Sequence, residues 1–177
     1  PILTIMIGGN HESSNYLQEL HYGGWVAPNI YYLGAAGVIN VCKRTINDDG
    51  GECISTLRIA GLSGIYNGRH YSSGRFEVPP YDQGSLRSVY HTREVDVKRL
   101  QAVVANTTPP DSTTTNQQQQ PQSIDIMISH DWPRNIAYHG NLQQLLRKKP
   151  YFKREIEEGE LGSPASEILM RELKPKY

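Results

Sequence analysis

Pro1-Ile2-Leu3-Thr4-Ile5-Met6-Ile7, followed by Gly8-Gly9-Asn10-His11-Glu12, is the stretch on which the reading of this chain turns. Seven almost continuously apolar residues give way at once to a tight polar loop. An unbroken run of this kind suits a strand covered on both faces, whereas a half-exposed strand alternates. The pattern recurs where Ile124-Asp125-Ile126-Met127-Ile128 leads into Ser129-His130-Asp131-Trp132-Pro133. In α/β sheets, ligands bind outside the carboxyl ends of strands. The two loops are therefore expected to meet at one crevice and to supply Asn10, His11 and His130.

Working outward, Ser13 to Leu20 reads as a short helix with good N-cap residues, and Gly23 to Asn29 as a loop. Ile30 to Leu33, Ala36 to Cys42 and Cys53 to Ala60 read as strands. Residues 65–91 are rich in Gly, Ser, Tyr, Arg and Pro without a clear period, and read as a long loop region of the kind that is usually functional or disordered. Helical spacing resumes over 94–104, through Val97, Leu100, Val103 and Val104. Residues 105–123, with four consecutive glutamines, cannot bury a core and are expected to be a disordered insert. Helices are expected over 141–148, 151–158 and 164–173. Strands alternating with helices make this an α/β chain, a layered sheet flanked by helices. A strand at the very start lacks neighbours, and a further strand is expected after the last helix, so the chain reads as incomplete at both ends.

With 177 residues the chain fits one domain. Lys+Arg and Asp+Glu both number 18, so any attraction to nucleic acid must come from a local patch. No apolar run approaches the ~20 residues of a membrane helix. Cys42 and Cys53 flank a hairpin turn at residues 47–51. If Ile46 pairs with Gly51, Cys53 faces Arg44 and Cys42 is a diagonal neighbour, too far for an unstrained disulfide. Both are expected to be free thiols, which suits a reducing compartment.

The Gly9-Asn10-His11-Glu12 loop after an apolar strand, with Ser129-His130 after another, resembles the signature of calcineurin-like metallophosphoesterases. The resemblance narrows to the lariat-debranching family. It runs in order through residues 8–12, 15, 17–20 and 22–34, then 61–65, 79–81, 87–91, 129–133 and 161–164, covering nearly the whole chain outside the insert. It implies that residues 1–177 are the central part of a catalytic domain with a calcineurin-like fold. Asn10 and His130 would be ligands of one of two divalent metals, iron, zinc or manganese, all of which suit mixed His, Asn and carboxylate ligands. His11 would donate a proton to the leaving oxygen. The family's further ligands, a Cys- or Asp-x-His, a Gly-Asp and a His-x-His, fall before Pro1 and after Tyr177 in family order. Glu12 is expected to cap the following helix or orient a neighbour, and Asp131 to support a metal-bound His. Without these placements the same residues read as a turn Asn, a surface His and a self-satisfied His–Asp pair.

Residues 65–91 match the family's lariat recognition loop. Tyr66, Tyr71, Phe76, Tyr81 and Tyr90 can stack on unpaired bases, and Arg69, Arg75 and Arg87 can hold phosphates or stack on bases. Trp25 and Trp132 read as packing residues that shape a crevice. The implied reaction is hydrolysis of the 2′-5′ phosphodiester of branched intron RNA, without membrane involvement. A nuclear location follows from that substrate, since no basic signal run stands out. Two rivals share these residues: another phosphoesterase of the superfamily, and a non-catalytic RNA-binding domain on the same scaffold.

Overall fold

The computed structural model describes residues 2–46, 50–105 and 123–177; the described part carries two three-stranded mixed sheets and seven α-helices. In the first sheet β1 (Thr4–Met6) pairs in parallel with β3 (Ile30–Tyr32), which pairs antiparallel with β2 (Gly24–Ala27). Helix α1 (Ser14–Glu19) lies between β1 and β2 in the chain. The second sheet has the order β4 (Ala36–Ile46), β5 (Glu52–Leu62), β6 (Ile126–Ser129), antiparallel then parallel. Between β5 and β6 come α2 (Gly68–Tyr71), α3 (Ser85–Ser88) and α4 (Glu94–Ala105). After β6 come a 3₁₀ turn (Ile136–His139), α5 (Leu142–Lys148), α6 (Phe152–Glu157) and α7 (Pro164–Leu173).

The core forms where α4 and α7 pack on the inner half of β4 and β5. Val97 and Leu100 of α4 and Ala165, Leu169 and Leu173 of α7 meet Ala36, Ala60, Leu62 and Ile124. The other side of that sheet abuts the first sheet: a Cβ on Gly61 would run into Leu33 and Ile7. Glycine there permits the close approach of the two layers.

The structure corrects several expectations. Among the described residues β1 is three residues long and pairs only with β3, leaving Ile2 87% exposed; it is not covered on both faces. The expected loop at 23–29 contains β2, because Asn29 takes a left-handed φ of 63° and closes the turn with Pro28, while Trp25 packs edge-on to Tyr31. The hairpin register places Ile46 opposite Glu52 and Cys53 opposite Thr45, one residue from the expected pairing; both cysteines are nevertheless free. Residues 47–49 of that turn, and 106–122 of the expected insert, lie outside the described residues. Among the described residues no strand follows α7; Tyr177 N donates to Asp125 O and Tyr177 O accepts from Met127 N, both at 2.9 Å.

Candidate active site

Three loops converge at the carboxyl ends of β1, β5 and β6. Gly8 N donates to Ser63 Oγ at 3.1 Å, and Gly64 N donates to Gly8 O at 2.8 Å, tying the loop after β1 to the loop after β5. Tyr66 N donates to Asp131 Oδ2 at 2.6 Å, tying the loop after β5 to the loop after β6. Ser63 joins the group further by donating from Oγ to Gly34 O, while its own carbonyl accepts from Thr92 Oγ1. Gly64 has a φ of 88° and sits so close to Tyr90 O that a Cβ would collide with it.

His130 and the Gly8–Glu12 loop are in contact. The Cδ2–Nε2 edge of the His130 ring occupies the space that a Cβ on Gly9 would need, so any larger residue there would displace the ring. The other ring nitrogen, Nδ1, lies 3.2 Å from Asp131 Oδ1. A carboxylate on Nδ1 orients the ring and directs Nε2 toward the loop, the arrangement common to metal-binding histidines. Asp131 thus has two partners, one oxygen on the imidazole and the other on Tyr66 N. Glu12 does not cap α1. Its Oε2 accepts from Gly9 N at 2.7 Å and closes the loop on itself. Burial alone would raise the Glu12 pKa, but backbone N–H donors of Gly9, Glu12 and His11, with His130 nearby, hold it below its usual value. Asn10 is half-buried and His11 exposed, and among the described residues neither side chain has a hydrogen-bonding partner.

Residues 65–91 are not a structureless loop. They fold around Arg93, which is 0% exposed and donates to Glu77 Oε1, to Ser88 O at 3.2 Å and to His70 O at 2.9 Å, with Phe76 packed against its guanidinium. Asp96 accepts both Arg93 N and Arg75 Nη2 on one oxygen. Of the expected substrate contacts, Arg75 has its guanidinium engaged by Asp96 at 2.7 Å and Val89 O at 3.2 Å. Tyr66 is half-buried against the core, tilted on Tyr71, and borders a groove with His130. Tyr90 lines a pocket with Gly8 and Gly9. Arg69 and Arg87 are exposed on α2 and α3, and Tyr81 sits in a separate groove with Gln18 and Leu86. Nothing in the sequence pattern marks the Arg93–Glu77 and Arg75–Asp96 pairs, whose partners stand 16 and 21 residues apart within an aperiodic segment.

The similarity of this chain to known proteins bears on these loops directly. No family model matches the chain. Over all 177 residues the sequence is 52% identical to the lariat debranching enzyme of Schizosaccharomyces pombe, 49% to that of Arabidopsis thaliana and 46% to that of Homo sapiens. From end to end, this chain is similar to lariat debranching enzymes. It spans only 32%, 35% and 27% of those three relatives' lengths, about a third of each or less. The match to the lariat debranching enzymes takes in both strand-end loops and the whole of 65–91.

One feature next to the site contradicts an expectation from the sequence. Arg147-Lys148-Lys149-Pro150-Tyr151-Phe152-Lys153-Arg154 is a basic run, holding five of the chain's 18 Lys+Arg in eight residues, although no such run was expected. It is obscured in the sequence because it straddles two expected helices and the net charge is zero. All five cations are exposed.

Proposed function

We propose that residues 1–177 are the central part of a metallophosphoesterase catalytic domain of calcineurin-like fold. The protein carrying them hydrolyses the 2′-5′ phosphodiester at the branch point of excised intron RNA, and its place of work is the nucleus, where that RNA arises. The observation that carries this reading is the unbroken 45–52% identity to enzymes named for debranching lariats. The loop geometry supports the roles. Asn10 offers an amide oxygen and His130 an imidazole nitrogen whose other nitrogen is already held by Asp131. These donors fit one of two divalent ions, iron, zinc or manganese. Among the described residues there is no cluster of three or more His, Cys, Asp or Glu, so the remaining donors are assigned to parts of the protein outside this stretch. Such a metal pair supplies Lewis-acid charge stabilisation at the phosphoryl group.

The chain's own residues do the rest. Glu12 fixes the backbone of the 9–12 loop, and Gly9 lets His130 approach it. His11, exposed and without a partner among the described residues, is assigned to protonating the departing 2′-oxygen. Tyr66 and Tyr90, beside the strand-end loops, and Arg69, Arg87 and Tyr81 further along 65–91 are assigned to the branched RNA. The test is a pair of variants in the full-length protein. His11→Ala should lower turnover of branched RNA by ~10²–10⁴-fold with metal content unchanged. His130→Ala should lose metal, by elemental analysis, before anything else. Metal loss in His11→Ala would assign His11 as a ligand and remove the proton-donor role. A full-length protein that binds branched RNA without cleaving it under any metal would replace the enzyme reading with a binding module.

A further inference from the structure

A groove of about 530 Å³ opens beside His130, on the side formed by Trp132, Phe152, Lys149, Tyr66 and Leu161. That volume lies within the ~300–1,000 Å³ typical of ligand sites. Trp132 stands two residues after His130, yet its side chain is not buried as a packing residue would be: it is 50% exposed, edge-on to Phe152 at 6.2 Å between ring centres. Its backbone is held firmly. Ser163 N donates to Trp132 O at 2.7 Å and Arg134 N donates to Ser163 O at 3.2 Å. Gly162, at φ 98°, lets the two segments approach where any Cβ would strike Trp132 O. The held backbone thus presents a half-exposed indole to the groove.

Of the basic run, Lys149 lines the groove, and the four other cations are exposed on the flanking segment. Among the described residues Arg147, Lys148 and Lys149 have no acidic partner, although Lys149 lies over the Tyr151 ring at 5.7 Å. Lys153 and Arg154 have only loose, exposed pairs one turn along α6, at 3.9 and 3.6 Å. Exposed aromatic faces interleaved with unneutralised cations are what single-stranded nucleic acid requires, since bases stack on rings and phosphates meet ammonium and guanidinium groups. Asp131 and Glu160 border the groove as well; the Asp131 oxygens are taken up by His130 Nδ1 and Tyr66 N, and Glu160 disfavours a phosphate beside it, which leaves Lys149 as the lining group for the nucleic-acid backbone.

We infer that this groove is a second RNA subsite, in which Trp132 stacks an unpaired base of one arm of the branched substrate and Lys149, with the exposed Lys148 next to it in the chain, holds the arm's phosphates as the arm leaves the groove. The inference rests on the reading of the substrate as branched RNA. A phosphodiester placed at Asn10 and His130 continues as polymer on either side of the reacting bond, and the groove shares His130 with that site. The arm therefore has an adjacent, charged and aromatic surface on which to leave.

The experiment uses the full-length protein and two synthetic branched RNAs, one a minimal branched core and one carrying single-stranded arms of about ten nucleotides, within the site sizes of single-strand binders. In Trp132→Ala the affinity for the long-armed RNA should fall ~10-fold, within the range of base–aromatic stacking. In Lys148→Ala/Lys149→Ala it should fall ~5-fold, and the salt dependence should become shallower by ~0.7 for each phosphate no longer neutralised. In both, the loss should be several times larger for the long-armed RNA than for the core. Ultraviolet cross-linking of the long arm should yield peptides containing Trp132 or residues 147–154. The two lysines are exposed, so that variant reads binding even if Trp132→Ala folds poorly. Equal losses on core and long-armed RNA, or no loss on either with cross-links elsewhere, overturn the subsite; the second result gives the groove to a protein segment or partner. Failure of the unaltered protein to bind or cleave either RNA would instead refute the substrate reading itself.

Discussion

Two segments of this molecule are rich in cations and aromatic rings, and they use them in opposite ways. In 65–91 and the start of α4, Arg75 and Arg93 point inward and are paired with Asp96 and Glu77. In 147–154 the cations point outward, three of them without an acidic partner among the described residues. The first segment commits its charges to shaping a loop that has almost no regular structure, where a few buried ion pairs replace the missing hydrogen-bond ladders. The second rests on short helices that satisfy their own backbones, so its charges remain available. Composition alone treats the two alike; pairing separates them.

The contrast predicts an order of effects. Arg93→Met should be the most damaging change, because it leaves the Glu77 carboxylate buried without its partner. Removing one member of a buried pair costs about 3–5 kcal/mol. Urea denaturation of the full-length protein measures this, and a loss below about 1 kcal/mol, within the range of an ordinary surface change, would show that Arg93 does not organise the segment. Arg75→Ala comes next, at about 2 kcal/mol, the scale of a hydrogen bond to a charged group. Its proteolytic cutting within 65–91 should rise, and a variant with unaltered stability but weakened RNA binding would restore Arg75 to the substrate contacts.

The third effect is a pH dependence confined to the inward segment. His70 Nδ1 and His91 Nδ1 are 2.7 Å apart, so one ring must be neutral to accept the other's proton. Burial, then His70 and Arg93, push the His91 imidazole below its usual 6.5, with Glu77 and Asp131 opposing. A depressed folded-state value means the unfolded chain binds the proton more readily. Stability is therefore full above about pH 6.5 and falls as pH drops through the folded value. The carboxylates Glu12 and Glu77, also lowered, add their loss only below about pH 4.5, so the two windows separate. His91→Gln should flatten the melting temperature between about pH 7 and 5, the range of histidine titration, and leave the acid limb in place. An unchanged profile would show that the His70–His91 pair does not set the pH dependence.

The smallest effects belong to the outward cations of the 65–91 segment itself. Arg69→Ala and Arg87→Ala should each change stability by no more than about 0.5 kcal/mol. Each should weaken branched-RNA binding about two- to five-fold and reduce the salt slope by about 0.7 if it meets a phosphate. Binding that is indifferent to both would confine RNA contact to the tyrosines and the groove by Trp132.

Much of this was legible beforehand, and the reason is locality. The hydrophobic runs before Gly8 and Ser129 marked strands whose ends carry the site, and α4, α5, α6 and α7 lie within a residue or two of their expected limits, because spacing and caps such as Ser163 and Asn141 are encoded within one turn. Asn10, His11 and His130 stand out as candidates because each closely follows a strand, and the fold brings His130 against the Gly9 loop. What the sequence could not settle depends on contacts between distant residues. That a larger residue at position 9 would displace a ring follows only from His130, far away in the chain. Glu12 could have capped a helix or closed a loop, and the choice fell to the nearest unpaired N–H. Whether an arginine is a substrate contact or a structural one depends on which carboxylate the folded chain brings to it. Sequence supplies the charge, but desolvation and pairing, which are properties of the tertiary structure, decide what that charge is free to do.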